Sequence, residues 1–236
     1  MSDPIPTIVA MGGGGFMMEP ENPLLDDFVL SLTGAARPRM CLVPTATGDS
    51  PAVIARFHAA FQERDCVASH LTLFGRPRTD LREFLLAQDV VYVGGGNTAN
   101  MLAVWRVHGV DAILRDAWEA GTVLCGPSAG MICWFEAGVT DSFGPLAGMR
   151  DGLGLLPGSA CPHYDGEADR RPAYRRLVAD GFPAGVAADD GAALVYRGRD
   201  LAECVSSRPR AQAYRVTRDA DAEAAEEPLP TRYLGR

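Results

Sequence analysis

A serine lies at the centre of a short glycine-rich segment, Gly126-Pro127-Ser128-Ala129-Gly130. An apolar, partly β-branched run at residues 122–125 precedes it, and residues 131–135 can begin a helix. Between a strand and a helix, the pattern G-x-S-x-G is that of a nucleophile elbow, a tight turn that exposes a serine hydroxyl. The backbone N–H of Ala129 and the helix N-terminus would then face an oxyanion that develops on a substrate. We therefore predict Ser128 as a nucleophile.

A serine nucleophile needs a general base, which is most often a histidine. The sequence has four histidines, at positions 58, 70, 108 and 163. His58 falls in a predicted helix, His70 in a predicted strand and His108 at a helix end, so a structural or exposed role is favoured for each. His163 follows Ser128 in the chain and lies in a turn after an apolar segment. We predict His163 as the base.

A carboxylate that orients the base would complete a triad, and three aspartates are candidates for it. Asp189 and Asp190 follow the short apolar segment 185–188, at the end of a predicted strand. Asp141 lies between Ser128 and His163 and would give the chain order Ser, Asp, His. The preferred candidate is Asp190, with Asp141 as the alternative acid and Asp189 as the remaining option.

Two glycine runs, residues 12–15 and 94–96, each follow a predicted strand. Neither has the spacing of a dinucleotide-binding fingerprint or the Lys-Ser/Thr of a phosphate-binding loop. An oxyanion hole takes one donor from the residue after the nucleophile and one from a glycine-rich loop on a neighbouring strand. We therefore predict Ala129 and either Gly95 or Gly96 as the donors. Residues 12–15 are expected to let the chain pass close to the site.

The elements around these motifs alternate between strand and helix, which indicates a doubly wound, mostly parallel sheet of the α/β class. Ligands bind at the carboxyl ends of the strands in such sheets, where the predicted functional loops lie. The predicted strands are residues 7–11, 39–44, 67–73, 90–93 and 122–125, and the predicted helices are residues 24–32, 51–63, 80–87, 98–107 and 110–120.

Beyond about residue 135, glycine and proline become frequent and the alternation ends. Short strands are predicted at residues 192–196, 201–205 and 211–217, as an antiparallel addition near the C-terminus. Neither an internal repeat nor a linker divides the chain. We predict one α/β domain over residues 1–217 and an acidic, partly mobile tail over residues 218–236.

Composition excludes several classes of function. A net charge of −8 gives no basic surface for nucleic acid or for an anionic membrane. No apolar run approaches the roughly 20 residues of a transmembrane helix. The six cysteines form no C-x-x-C pair, so neither a zinc site nor a disulfide framework is predicted. No secretory signal is visible in the sequence. We therefore expect a reduced, cytoplasmic protein, and we expect no metal or other cofactor.

Three motifs in order carry a resemblance to the S51 serine peptidases, the family of peptidase E and cyanophycinase. They are Val93-Gly94-Gly95-Gly96-Asn97-Thr98, the elbow followed by Cys133-Trp134-Phe135, and Pro162-His163-Tyr164. The resemblance covers roughly residues 7–217. It implies a flavodoxin-like sheet akin to class I glutamine amidotransferase domains, with serine in place of their cysteine. It also implies Ser128 as nucleophile and His163 as base. The acid would match either Asp141 or Asp190, where this chain has aspartate instead of glutamate.

Similarity to peptidase E implies metal-free hydrolysis of dipeptides with an N-terminal aspartate. An aspartyl side chain requires a cation in the pocket, for which arginine is the bidentate choice. The arginines after the elbow are all candidates, and no single one is favoured: Arg150, Arg170, Arg171, Arg175 and Arg176. The alternatives are a cyanophycinase-like isopeptidase, another amide or ester hydrolase, or an inactive binding homologue. The expected partner is a small peptide substrate, and a homodimer is left open.

Overall fold

The computed structural model describes residues 5–75 and 78–235. Residues 1–4, 76 and 77 of the predicted domain, and residue 236 of the predicted tail, lie outside the described residues. The strands are β1 Thr7–Met11, β2 Arg39–Val43, β3 Val67–His70, β4 Val90–Val93, β5 Val123–Pro127, β6 Phe135–Thr140, β7 Ala147–Met149, β8 Leu156–Cys161, β9 Gly185–Ala188, β10 Ala192–Arg197, β11 Asp200–Ser206, β12 Ala213–Arg218, β13 Ala224–Leu229 and β14 Thr231–Tyr233. The helices are α1 Gly15–Met18, α2 Leu24–Ser31, α3 Pro51–Phe61, α4 Leu81–Leu86, α5 Thr98–His108, α6 Val110–Glu119, α7 Ala129–Ile132 and α8 Arg170–Ala179.

The first sheet has the strand order β14-β11-β10-β1-β5-β4-β2-β3. Its neighbours from β1 to β3 pair in parallel, whereas β10 and β11 are antiparallel. The predicted α/β class, with a mostly parallel sheet and antiparallel strands near the C-terminus, is confirmed. The carboxyl ends of β1, β4 and β5 are adjacent, so the three predicted loops meet at one edge.

Helices cover both faces of this sheet, because its strands are apolar on both sides. Alternate residues of β1 enter different cores: Ile8 packs with α5 and α6, whereas Val9 packs with α2 and α3. Side chains of a strand alternate between faces, so every residue of β1 is buried. Because β1 and β5 are buried on both faces, they hold the first residues of the loops that follow them in fixed positions.

A second sheet, with the order β13-β12-β9-β8-β6-β7, begins directly after α7. The sequence indicated a helix beginning at residues 131–135, but α7 is a single turn and Phe135 already starts β6. Strands β6, β8 and β9 run parallel, and α8 packs against this sheet through Tyr174 and Val178. The elbow therefore connects two sheets.

The segment 218–236 was predicted as an acidic tail, whereas its described residues pair with both sheets. Strand β13 is antiparallel to β12 in the second sheet, and β14 is parallel to β11 in the first. Ala224 and Leu229 are buried at the two ends of β13, and the acidic residues Glu226 and Glu227 lie between them. Within β13 only these two side chains reach the core, so the amino-acid composition of the strand is typical of a solvated segment.

Candidate active site

Ser128 lies at the sharp turn between β5 and α7, with φ 59° and ψ −112°. This combination is one that glycine adopts readily and other residues adopt at a cost of about 1–3 kcal/mol. His163 also has a positive φ, of 52°. Such strain clusters at functional sites, where the surrounding structure holds the residue in place.

The two glycines of the elbow are required by a close approach to Val93, the last residue of β4. A Cβ atom added to Gly126 or to Gly130 would overlap the carbonyl oxygen of Val93. The turn therefore packs directly on the strand that leads into the second glycine run. The same packing places Gly95 beside the serine, since a Cβ on Gly95 would lie 3.2 Å from Cβ of Ser128.

His163 and Asp190 form a buried pair, with 2.6 Å between Nδ1 and Oδ1. Burial tends to raise the pKa of Asp190, but the hydrogen bond and charge of His163 outweigh it and the pKa lies below its ordinary value. An ionised Asp190 that accepts from Nδ1–H leaves Nε2 free to take a proton. Among the described residues, the Ser128 hydroxyl makes no hydrogen bond, so Ser128 and His163 are not hydrogen-bonded to each other in this structure.

Consecutive carbonyls at the end of β1 hold the three candidate residues near one another. The carbonyl of Met11 accepts from the N–H of Ser128, and that of Gly12 accepts from the N–H of His163, both at 3.2 Å. The carbonyl of Gly13 accepts from the N–H of Gly191, directly after Asp190, at 3.1 Å. Gly13 must lack a side chain, because a Cβ there would overlap the Asp190 carboxylate. The first glycine run thus passes close to the site, and its carbonyl groups position the backbone of the candidate residues.

The other two candidate acids are placed differently from Asp190. Asp189 accepts from the N–H of Gln212 at 2.9 Å, and its burial raises its pKa to about 6. Asp141 is exposed at the end of β6, and in the described part of the chain its carboxylate has no hydrogen-bond or ion-pair partner. Only Asp190 is therefore bonded to His163.

The structure also distinguishes between the two glycines that were predicted as oxyanion donors. The N–H of Gly95 donates to Sδ of Met17 at 3.2 Å, so it is occupied. The N–H of Gly96 has no acceptor among the described residues, and Gly96 lines a pocket together with Ser128. Ala129, the other predicted donor, is the first residue of α7. No sequence motif indicated that Met17 would reach this loop.

The pocket beside Ser128 has a volume of about 320 Å³. Of the five candidate arginines, Arg170 alone lines this pocket. The guanidinium of Arg170 donates to both carboxylate oxygens of Glu167 and to the carbonyl of Val139. Arg171, Arg175 and Arg176 line a separate groove. Arg150 packs on the ring of Phe182.

Histidines 58, 70 and 108 lie away from these contacts. His58 and His70 are paired with each other at 2.9 Å between ring nitrogens, and His108 ends α5. Across residues 5–75 and 78–235, no cluster of three or more His, Cys, Asp or Glu side chains could hold a metal ion.

Residues 8–204 match the model of peptidase family S51. The chain belongs to peptidase family S51. It is 56% identical over 229 residues to the uncharacterized peptidase YgaJ of Bacillus subtilis (strain 168), which covers 97% of this chain and 99% of that protein. A peptidase E of Shewanella denitrificans is 29% identical over 133 residues, covering 52% of this chain and 56% of the relative. The resemblance seen in the three motifs is thereby confirmed, and the chain is a family S51 peptidase.

Solved structures support the fold. A peptidase from an acI-B1 Actinobacterium superposes with a TM-score of 0.71 at 18% identity, over 96% of this chain and 95% of that one. A putative peptidase E from Listeria monocytogenes EGD-e gives 0.61 at 15% identity, over 96% and 100%. Within the described residues, no helix has both the length and the apolar character needed to cross a membrane.

Proposed function

We propose that this S51 peptidase is a serine hydrolase that cleaves short peptides through an acyl-enzyme at Ser128. The observation that carries the proposal is the His163–Asp190 pair, at 2.6 Å, held with Ser128 on the consecutive carbonyls of residues 11–13. A nucleophile on a strained turn, a base and a buried carboxylate that orients the base are the parts of a hydrolytic triad.

In the proposed reaction, Nε2 of His163 takes the proton of the Ser128 hydroxyl as Oγ attacks the scissile carbonyl carbon. Asp190 holds the imidazole and stabilises the imidazolium that forms. The N–H groups of Ala129 and Gly96 donate to the oxyanion. His163 then protonates the leaving amine, which releases one product and leaves an ester on Ser128. Water, deprotonated by His163, hydrolyses that ester and restores the enzyme.

The proposed substrates are dipeptides with an N-terminal aspartate. The pocket volume of about 320 Å³ suits a small ligand. A guanidinium has five N–H groups, and the bonds of Arg170 to Glu167 and Val139 leave some of them unused. An aspartyl carboxylate entering the pocket can accept from these remaining donors. The proposed compartment is the cytoplasm, in keeping with six buried, unpaired cysteines in the described chain.

A substrate panel with purified wild-type protein and Ser128→Ala tests this function. The panel contains Asp-X and Glu-X dipeptides, β-aspartyl peptides, a β-aspartyl-arginine isopeptide and simple esters. We expect the highest kcat/KM on Asp-X, a pre-steady-state burst on an activated ester, and no turnover by Ser128→Ala. Full activity of Ser128→Ala would refute the serine mechanism. Preference for the isopeptide would instead assign a cyanophycinase-like activity.

A further inference from the structure

Asp141 belongs to the pocket that contains the candidate nucleophile, and its carboxylate has no hydrogen-bond or ion-pair partner within the described residues. It lines that pocket with Ser128, Gly96, Glu167 and Arg170. Because the base is already bonded to Asp190, Asp141 has no part in orienting it. An unpaired charge in a substrate pocket is suited to a substrate group of opposite charge.

The electrostatics of the pocket point to a cation as that group. The other two charged residues that line it, Glu167 and Arg170, are bonded to each other, with 2.6 Å between Oε2 and Nε. Their charges therefore largely compensate, whereas the charge of Asp141 has no counterpart in the described chain. The pocket carries a net negative charge before substrate binds, which attracts an ammonium group.

The backbone around Asp141 is also held in a fixed position relative to the loop of residues 94–97, which contains the proposed oxyanion donor Gly96. The side-chain amide of Asn97, directly after Gly96, donates to the carbonyl of Ser142 at 3.0 Å. The hydroxyl of Ser142 accepts from the N–H of Ala99 at 3.2 Å. The turn that follows Asp141 is closed by the N–H of Gly144, which donates to the Asp141 carbonyl at 3.0 Å. These contacts fix the backbone that carries Asp141, which limits the entropy lost when its carboxylate binds a ligand.

We propose that Asp141 binds the α-ammonium group of the substrate and so restricts cleavage to the first peptide bond of a free N-terminus. This inference rests on the proposed function. In a dipeptide, a single carbon separates the ammonium nitrogen from the scissile carbonyl carbon. A group that binds the ammonium must therefore share a pocket with the nucleophile, as Asp141 does. Asp141 then holds the ammonium group, while the unused N–H donors of Arg170 hold the aspartyl carboxylate.

Binding to the inert Ser128→Ala protein tests the site without requiring turnover. The ligands are Asp-Leu and succinyl-leucine, which differ only in the amine, and Ala-Leu and propionyl-leucine as a second such pair. Calorimetry should show that each amine is bound about 10- to 100-fold more tightly than its desamino partner, as expected for a charged hydrogen bond. In Ser128→Ala/Asp141→Asn the ratio should fall to about twofold, with the affinity for succinyl-leucine little changed.

Ser128→Ala/Asp200→Asn is the matched control. Asp200 begins β11 opposite Arg197, which pairs with Thr7 at the far end of β1 from the site. This control should keep the full preference for the amine. An unchanged ratio in the Asp141 variant, or equal binding of amine and desamino ligands by Ser128→Ala, would overturn the inference. Wild-type hydrolysis of the panel is a separate readout, so failure of the mechanism can be distinguished from failure of the ammonium site.

Discussion

The carbonyl oxygen of Gly12 accepts a hydrogen bond from the backbone N–H of His163, at 3.2 Å. Gly12 directly follows β1 of the first sheet, whereas His163 follows β8 of the second. With the bond from Ser128 to the carbonyl of Met11, this contact sets the distance between nucleophile and base. The site is therefore assembled across two sheets and depends on main-chain atoms of residues 11–13.

The first prediction concerns the acid of the triad. Asp190→Asn should lower kcat on the best Asp-X substrate by several orders of magnitude, towards 10⁴-fold, with little effect on KM. The reason is that an amide cannot stabilise the imidazolium of His163, whose Nδ1 lies 2.6 Å from Oδ1 of Asp190. Steady-state kinetics give the comparison, with circular dichroism to check folding.

Asp189→Asn is the adjacent control. The Asp189 carboxylate accepts a hydrogen bond from the Gln212 N–H, and the amide oxygen of asparagine can accept the same bond. Its kcat should stay within about tenfold of wild type, well above that of Asp190→Asn. Asp141→Asn should lose less kcat than Asp190→Asn. A nearly inactive Asp141→Asn beside a nearly wild-type Asp190→Asn would reverse the assignment of the acid.

The second prediction concerns the strained turn at Ser128. Glycine adopts φ 59° and ψ −112° without a Cβ penalty, so Ser128→Gly should be more stable than Ser128→Ala by about 1–2 kcal/mol. Urea unfolding of the two variants measures the difference. The same pair at Ser31, the last residue of helix α2, should show the opposite order. Equal stability of the two Ser128 variants would show that the turn is unstrained.

The third prediction concerns the packing of the elbow on β4. Gly130→Ala places a methyl group against the carbonyl oxygen of Val93, although the backbone of Gly130 is otherwise compatible with alanine. We expect a loss of stability of about 1–3 kcal/mol. We also expect a loss of activity, because Val93 leads into residues 94–96 and the proposed oxyanion donor Gly96. Gly75→Ala has open space around it and should unfold like wild type. A Gly130→Ala enzyme of full activity and stability would contradict the packing described.

The fourth prediction concerns Asp26, a buried carboxyl of α2 whose Oδ1 has no hydrogen-bond partner in the described chain. Burial raises its pKa to about 7, while the unfolded chain titrates near the ordinary value. The native state therefore binds a proton that the unfolded state releases, and stability falls as pH rises from about 4 to about 7. The loss is up to about 4 kcal/mol, at 1.36 kcal/mol per pKa unit.

Asp26→Asn should remove this loss and stabilise the protein more at pH 8 than at pH 4. Denaturant titrations at several pH values give the slope, with Asp200→Asn as the exposed control that leaves it intact. A steep wild-type slope that persists in Asp26→Asn would assign the proton to another group.

The fifth prediction is that hydrolysis survives chelation. The proposed chemistry uses only Ser128, His163, Asp190 and backbone donors. Activity should therefore be the same after dialysis against EDTA as after dialysis against buffer alone. Loss of activity that zinc restores would require a different mechanism.

The sequence predicted β1, β4 and β5 of the first sheet well, because these strands are short apolar runs at glycine-rich turns. Of the second sheet it predicted strands at the positions of β9 and β12. It did not predict β6 and β8, since these contain glycine, alanine or proline, residues that are uncommon in strands. Strand β13, with the sequence AAEEPL, lacks an apolar pattern and is recognised only by its pairing with β12.

Within the site, Ser128 and His163 could be chosen as candidates from the sequence because both stand in distinctive local motifs. The acid was not, because which of Asp141, Asp189 and Asp190 reaches His163 depends on how two sheets meet. The same holds for the thioether of Met17 on Gly95 and for the carbonyls of residues 11–13. Backbone carbonyls accept hydrogen bonds whatever side chain the residue has, so residue type records these contacts only where a side chain would collide with a neighbour, as at Gly13.

The bond between Gly12 and His163 also has a consequence during synthesis of the chain. Residues 11–13 leave the ribosome early, whereas His163 and Asp190 emerge much later, and β9 pairs with the still later β12. A nascent chain that ends just after residue 135 has the sequence of the elbow but neither base nor acid. Under the proposed mechanism it cannot hydrolyse a peptide, so activity begins only when the second sheet closes onto the first. The order of the elements along the chain therefore delays the proposed hydrolysis until residues 163 and 190 have been synthesised.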